Sequence, residues 1–88
     1  MDIQYKTVAA AIRRLKRIEG QVRGLQQMLN DERNCHDVIT QITASRKALD
    51  QVGFMLVADG LAWCVAHPEE SGEGDRLEDV QRLFTMLA

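Results

Sequence analysis

The chain has 88 residues, of which 45% are hydrophobic and 27% charged, and its formal net charge is −2. This length predicts one domain over residues 1–88, with a core so small that burial against a second copy is an expected source of stability. The N-terminus lacks the basic and apolar segments of a signal peptide, and no uninterrupted apolar run approaches the roughly 20 residues that span a bilayer. Composition therefore favours a cytoplasmic protein without a membrane partner.

Helical periodicity dominates the sequence from end to end. Apolar residues recur at steps of three and four over residues 8–29, which predicts a first helix over residues 4–29. A second apolar pattern runs without proline as far as Pro68 and predicts a long helix over residues 34–66. A polar segment follows, and residues 77–87 then form a short amphipathic pattern. Because period-two alternation is absent, the expected fold is all-α, with three helices in each protomer.

Cys35 and Cys64 are the two cysteines of the chain, and they lie at opposite ends of the second predicted helix. At about 1.5 Å per residue, their Cα atoms are roughly 43 Å apart, whereas a disulfide needs about 5.5 Å. Two copies of the helix packed antiparallel would place Cys35 of one copy beside Cys64 of the other. The spacing therefore predicts an antiparallel dimer with shared sulfur sites, whose thiols bind metal, undergo redox chemistry or are simply buried.

Positive charge is concentrated in the first third of the chain. Residues 1–30 carry six basic and two acidic residues, whereas the remainder carries five basic and eleven acidic ones. On a helical wheel, Lys6, Arg13 and Arg17 fall within about 40° of each other and across the helix from the apolar stripe. Such a face is either solvated or contacts a polyanion. The candidate DNA-contacting residues are Lys6, Arg13, Arg14, Lys16 and Arg17, with Arg46 and Lys47 as an extension of the surface in an assembly.

Two segments resemble a known family of regulators. RLKRIEGQVRGLQQML at residues 14–29, followed by Cys35 and by DVITQITASRKAL at residues 37–49, resembles the copper-sensing operon repressor family, the CsoR/RcnR-like group. The resemblance covers residues 10–66. It implies an all-α bacterial repressor whose dimers usually assemble as a dimer of dimers. It also implies binding to operator double-stranded DNA through a basic helical surface, and release when an inducer occupies a site between subunits.

The inducer site departs from that of the copper-sensing members. The resemblance implies a cysteine at the start of the second helix, and a histidine four residues before a second cysteine. This chain has Cys35 and Cys64 but Gly60 at the histidine position, so a Cu(I) site of two thiolates and an imidazole is not expected. The nickel and cobalt branch needs several histidines, and the formaldehyde branch needs a proline where this chain has Asp2. VADGLAWCV at residues 57–65 instead resembles the persulfide-sensing CstR branch.

That branch implies a persulfide or polysulfide inducer that bridges Cys35 to Cys64 of the neighbouring subunit and ends DNA binding by the reduced protein. Cys35 is the expected nucleophile, because a helix N-terminus favours a thiolate, and Cys64 is the expected resolving thiol. No resident metal, cofactor or catalytic group is predicted. The alternatives are a Cu(I)-responsive repressor, with His67 as the candidate replacement for the missing imidazole, and a thiol-switched adaptor that binds protein rather than DNA. His36 points away from Cys35 and is expected at the surface.

Overall fold

The computed structural model describes residues 3–69 and 77–88, and these residues form three α-helices and no strand. Helix α1 spans Tyr5–Asn30, α2 spans Cys35–Ala66 and α3 spans Leu77–Leu87. The predicted all-α class is confirmed. The observed first and last residues of α1 and α2 agree with the predicted ones to within one residue. Most of the polar loop that was predicted after Pro68 lies outside the described residues.

A tight turn joins α1 to α2 and fixes where α2 begins. Glu32 adopts a left-handed backbone conformation with φ 56°, and the backbone N–H of Arg33 donates to the carbonyl of Met28 at 3.0 Å, which closes the end of α1. The side chain of Asn34 then accepts a hydrogen bond from the backbone N–H of Asp37 at 2.9 Å. This cap makes Cys35 the first residue of α2.

On the face of α2 that lies toward α1, a buried residue recurs every seven positions. These buried residues are Val38, Ser45, Val52 and Asp59. Seven residues turn a helix through nearly two full turns, so these side chains lie along one stripe. Val52 forms the core with buried residues of α1, and the hydroxyl of Ser45 donates to the side-chain oxygen of Gln21 at 3.0 Å.

Helix α3 packs against the C-terminal half of α2. Gly53 permits this contact, since a Cβ atom built on it would lie 2.6 Å from a terminal methyl carbon of Leu87. The rings of Phe54 and Phe84 also meet, with centroids 5.5 Å apart and an interplanar angle of 56°. Gly53 therefore marks close packing between α2 and α3 within the protomer.

A single chain leaves much of its apolar surface exposed. The molecule measures 56 × 24 × 13 Å, and no large side chain among the described residues is less than 2% exposed. By length and composition alone, α2 could even cross a membrane, with an 18-residue window of mean hydropathy 1.4 that is 17% buried. This criterion differs from that of an uninterrupted apolar run, because a window average tolerates isolated charges, so the absence of a membrane partner stays a prediction. A core helix of a helical protein meets the same criteria.

Candidate functional site

The two cysteines occupy opposite ends of one unbroken helix. Cys35 is the first residue of α2 and is exposed, whereas Cys64 lies in its last turns and is 8% exposed. The 29 intervening steps separate their Cα atoms by roughly 43 Å, so the two thiols cannot meet within one chain. A groove of about 650 Å³ begins at Cys35 and extends past Thr43 to Lys47.

Both cysteines nevertheless lie on the same face of α2. At about 100° per residue, 29 steps bring Cys64 to within about 20° of Cys35 around the helix axis. The N-terminal half of this face is open to solvent, with Ile39, Ile42 and Leu49 being 53%, 43% and 51% exposed. By the same spacing it also carries the exposed cation Arg46. The C-terminal half of the face carries Gly53, against which Leu87 of the same protomer packs, and the buried Gly60.

Gly60 offers no side-chain donor, and its surroundings are apolar. It is buried, and it lines a cavity of about 320 Å³ together with Ile3, Gly53, Leu83 and Leu87. The N-terminal segment and α3 of the same chain therefore line the space beside the position at which copper sensors are expected to have histidine. The residues at this position do not fit an imidazole-containing Cu(I) site.

The two histidines differ in their surroundings. His67 is the C-cap residue that follows α2, its ring stacks on Trp63 with centroids 4.6 Å apart, and its Nδ1 lies 3.0 Å from the Trp63 carbonyl oxygen. Because a carbonyl oxygen only accepts, this contact assigns the proton to Nδ1 and leaves Nε2 as the atom able to bind a metal. His36 is exposed, as expected. Among the described residues, no group of three or more His, Cys, Asp or Glu side chains is arranged to hold a metal.

The side chains of the predicted DNA-contacting residues are accessible to solvent. All seven are exposed, namely Lys6, Arg13, Arg14, Lys16, Arg17, Arg46 and Lys47. Within residues 3–69 and 77–88, ion pairs of the arginines involve Arg23, Arg33 and Arg82, which pair with Glu19, Asp37 and Asp79. Four of the five basic candidates on α1 lie away from its buried residues, whereas Arg14 lies about 40° from Ile18 around the helix axis. The remaining two candidates lie on α2, away from the stripe that faces α1.

Asp59 is a buried polar residue that the sequence interpretation missed. Its carboxylate accepts a hydrogen bond from the backbone N–H of Gln4 at 2.9 Å and another from the hydroxyl of Thr7 at 2.8 Å. The signal for it was present in the sequence, since Asp59 continues the seven-residue repeat of Val38, Ser45 and Val52. A carboxylate on such a stripe needs a hydrogen-bonding partner, because burying an unpaired charge is costly.

A family model described as "Metal-sensitive transcriptional repressor" matches residues 7–88. The chain belongs to this family. It is 45% identical over 76 residues to the copper-sensing transcriptional repressor CsoR of Bacillus subtilis, with 82% of this chain and 75% of that relative covered. It is 42% identical over 60 residues to the copper-sensing transcriptional repressor RicR of Mycobacterium tuberculosis, with 68% and 62% covered.

Solved structures of family members share the fold. The copper-sensing repressor CsoR with Cu(I) from Geobacillus thermodenitrificans matches with a TM-score of 0.79 and 37% identity, covering 98% of this chain and 91% of that one. The nickel-responsive transcriptional regulator InrS matches with a TM-score of 0.79 and 27% identity, covering 100% and 98%. The predicted membership of the repressor family is thus confirmed, whereas the persulfide-sensing branch stays a prediction.

Proposed function

We propose that this transcriptional repressor binds operator double-stranded DNA through the basic face of α1, and that an inducer ends this binding by joining Cys35 of one subunit to Cys64 of the next. The observation that carries the proposal is the position of both cysteines on one face, at the two ends of an unbroken helix. A protein that acts on operator DNA in a bacterial cell works in the cytoplasm.

An antiparallel homodimer is part of the same proposal. The midpoint of the helix segment between Cys35 and Cys64 falls between Leu49 and Asp50. A two-fold axis near these residues would place Cys35 of each subunit opposite Cys64 of the other subunit. The exposed apolar residues Ile39 and Ile42 would be covered by this packing, which supports it. Pairing two such dimers would give the homotetramer that is usual among the family members that the chain resembles.

Cu(I) is the inducer that the comparisons favour, since the relatives in Bacillus subtilis and Mycobacterium tuberculosis are named as copper-sensing. Thiolates are soft ligands that select Cu(I). This chain would offer two of them at each shared site, and the third ligand expected of copper sensors is absent at Gly60. His67 is the residue that has a ring nitrogen available within one turn of Cys64.

A persulfide is the second candidate, and Gly60 with its apolar surroundings is the observation that favours it. The Cys35 thiolate would take the outer sulfur of a persulfide RSSH, which releases the thiol RSH and leaves a persulfide on Cys35. Attack by Cys64 on the inner sulfur would then form a disulfide and release hydrogen sulfide, so the incoming sulfur is the oxidant. If Cys64 is also persulfidated, the same reaction would give a trisulfide and hydrogen sulfide.

Operator binding, measured with Cu(I) and with a persulfide donor in parallel, tests the proposal and separates the two inducers. We expect the reduced protein to bind operator DNA with a steep salt dependence, because phosphate contacts release counterions. If Cu(I) is the inducer, about one equivalent per shared site should abolish binding, and a chelator should restore it. If a persulfide is the inducer, binding should be lost with a covalent dimer and return with a thiol reductant. Absent or salt-independent DNA binding would contradict the proposal and favour an adaptor. Retention of operator DNA under both treatments would contradict the proposed inducer site.

A further inference from the structure

The first turn of α1 is capped by a residue of α2 rather than by one of its own. Gln4 at the N-cap position makes no side-chain capping bond. Its backbone N–H instead donates to Asp59, which lies 55 residues further along the chain, and the hydroxyl of Thr7 donates to the second carboxylate oxygen of Asp59. A carboxylate at this position satisfies otherwise unpaired donors and interacts favourably with the positive end of the helix dipole.

This cap connects the start of the proposed DNA-contacting face of α1 to the end of α2 that carries Cys64. Lys6 lies between Gln4 and Thr7, so the cap fixes the backbone that carries the N-terminal cation of the basic face. Asp59 precedes Gly60 and lies five residues before Cys64, at the sulfur-bearing end of α2. Helix termini fray unless they are tied down, and this cap ties the first turn of α1 to α2.

We propose that Asp59 is a positioning residue, which holds the first turn of α1 so that Lys6 reaches an operator phosphate. The inference rests on the proposed DNA surface of α1. Asp59 itself is 9% exposed and carries a negative charge, so it is not expected to contact a phosphate directly. Its effect on binding is therefore expected to pass through Lys6 and not through the cations in the middle of α1.

A double-mutant cycle in operator affinity tests this inference. Lys6→Ala alone is expected to weaken binding about tenfold and to lower the salt slope by about one, as for the loss of one phosphate contact. In an Asp59→Ala background, the same Lys6→Ala change should have little further effect, because the contact is already lost. Arg17→Ala serves as the matched control, and it should cost the same in both backgrounds.

Variants of Thr7 repeat the test without changing any charge. Thr7→Val removes one hydrogen bond to Asp59 and should reduce the effect of Lys6→Ala, whereas Thr7→Ser keeps the hydroxyl and should preserve that effect. If circular dichroism shows that Asp59→Ala does not fold, the comparison of Thr7→Val with Thr7→Ser still tests the positioning role of Asp59. Additive effects of Lys6 and Asp59, together with equal behaviour of Thr7→Val and Thr7→Ser, would overturn the inference.

Failure of the proposed DNA surface would look different. In that case Arg17→Ala would leave operator affinity unchanged in every background, and the positioning role of Asp59 would be overturned with it. If Arg17→Ala weakens binding but Lys6→Ala does not, the DNA surface stands and the role assigned to Asp59 is wrong.

Discussion

Replacing Arg13 and Arg17 together by alanine is expected to lower operator affinity by well over tenfold and to flatten its salt dependence. Both side chains are exposed and make no ion pair within the described part of the chain, so a phosphate would meet no competing carboxylate. A hydrogen bond to a charged group contributes about 1.5–3 kcal/mol, and each lost phosphate contact lowers the salt slope by about 0.9. Fluorescence anisotropy with labelled operator at several salt concentrations measures both quantities.

Arg23→Ala is the matched control for this experiment. Arg23 lies on the same helix and is also exposed, but its guanidinium donates to Glu19 at 2.8 Å. Surface pairs of this kind contribute little to stability, so the variant should fold, assemble and bind operator nearly as the unsubstituted protein does. Equal losses for Arg23→Ala and for the Arg13 and Arg17 variant would show that the net charge of α1 matters and that the proposed face does not.

Removing either cysteine is expected to abolish the response to inducer while leaving operator binding by the reduced protein intact. Cys35→Ala removes the exposed thiol at which the reaction or coordination is proposed to begin, and Cys64→Ala removes its proposed partner. Cys35→Ser and Cys64→Ser serve as controls that retain polarity, and they should fail in the same way because a hydroxyl is a poor ligand for Cu(I) and does not form a persulfide.

The two variants should also differ in the product that each one traps. After persulfide treatment, intact mass spectrometry of Cys64→Ala should detect one added sulfur on Cys35 and no covalent dimer, because the resolving thiol is absent. Cys35→Ala should show little modification, since Cys64 is 8% exposed. A full response to inducer in either variant would contradict a site that needs both thiols.

Much of the fold follows directly from the sequence. The apolar residues of α1 and α2 recur with helical period, and the Asn34 cap and Pro68 set the ends of α2, which is why its bounds could be predicted closely. The positions of the cysteines follow equally, since an unbroken helix fixes both their separation and their relative direction.

Other features depend on tertiary contacts that local patterns do not contain. The bonds from Asp59 to Gln4 and Thr7 join residues more than 50 positions apart, so the sequence shows only an unexplained carboxylate on an apolar stripe. The surroundings of Gly60 depend likewise on how Ile3 and α3 fold back on α2. The dimer and the identity of the inducer stay predictions, because they depend on molecules beyond one chain and on chemistry shared by several branches. The single-domain organisation over residues 1–88 also stays a prediction.

Subunit complementation tests the shared thiol site most directly. Neither Cys35→Ala nor Cys64→Ala homodimers contain a complete site, but a mixed dimer contains one, formed by Cys35 of the Cys64→Ala subunit and Cys64 of the Cys35→Ala subunit. After the two variants are mixed, exchanged and treated with a persulfide donor or with Cu(I), mass spectrometry under non-reducing, native conditions should detect a heterodimer joined by sulfur or by one Cu(I). The mixture should partly regain release of operator DNA in response to the inducer, whereas each variant alone should not. A mixture that behaves like its two separate components, despite demonstrated subunit exchange, would contradict a site shared between Cys35 and Cys64 of neighbouring subunits.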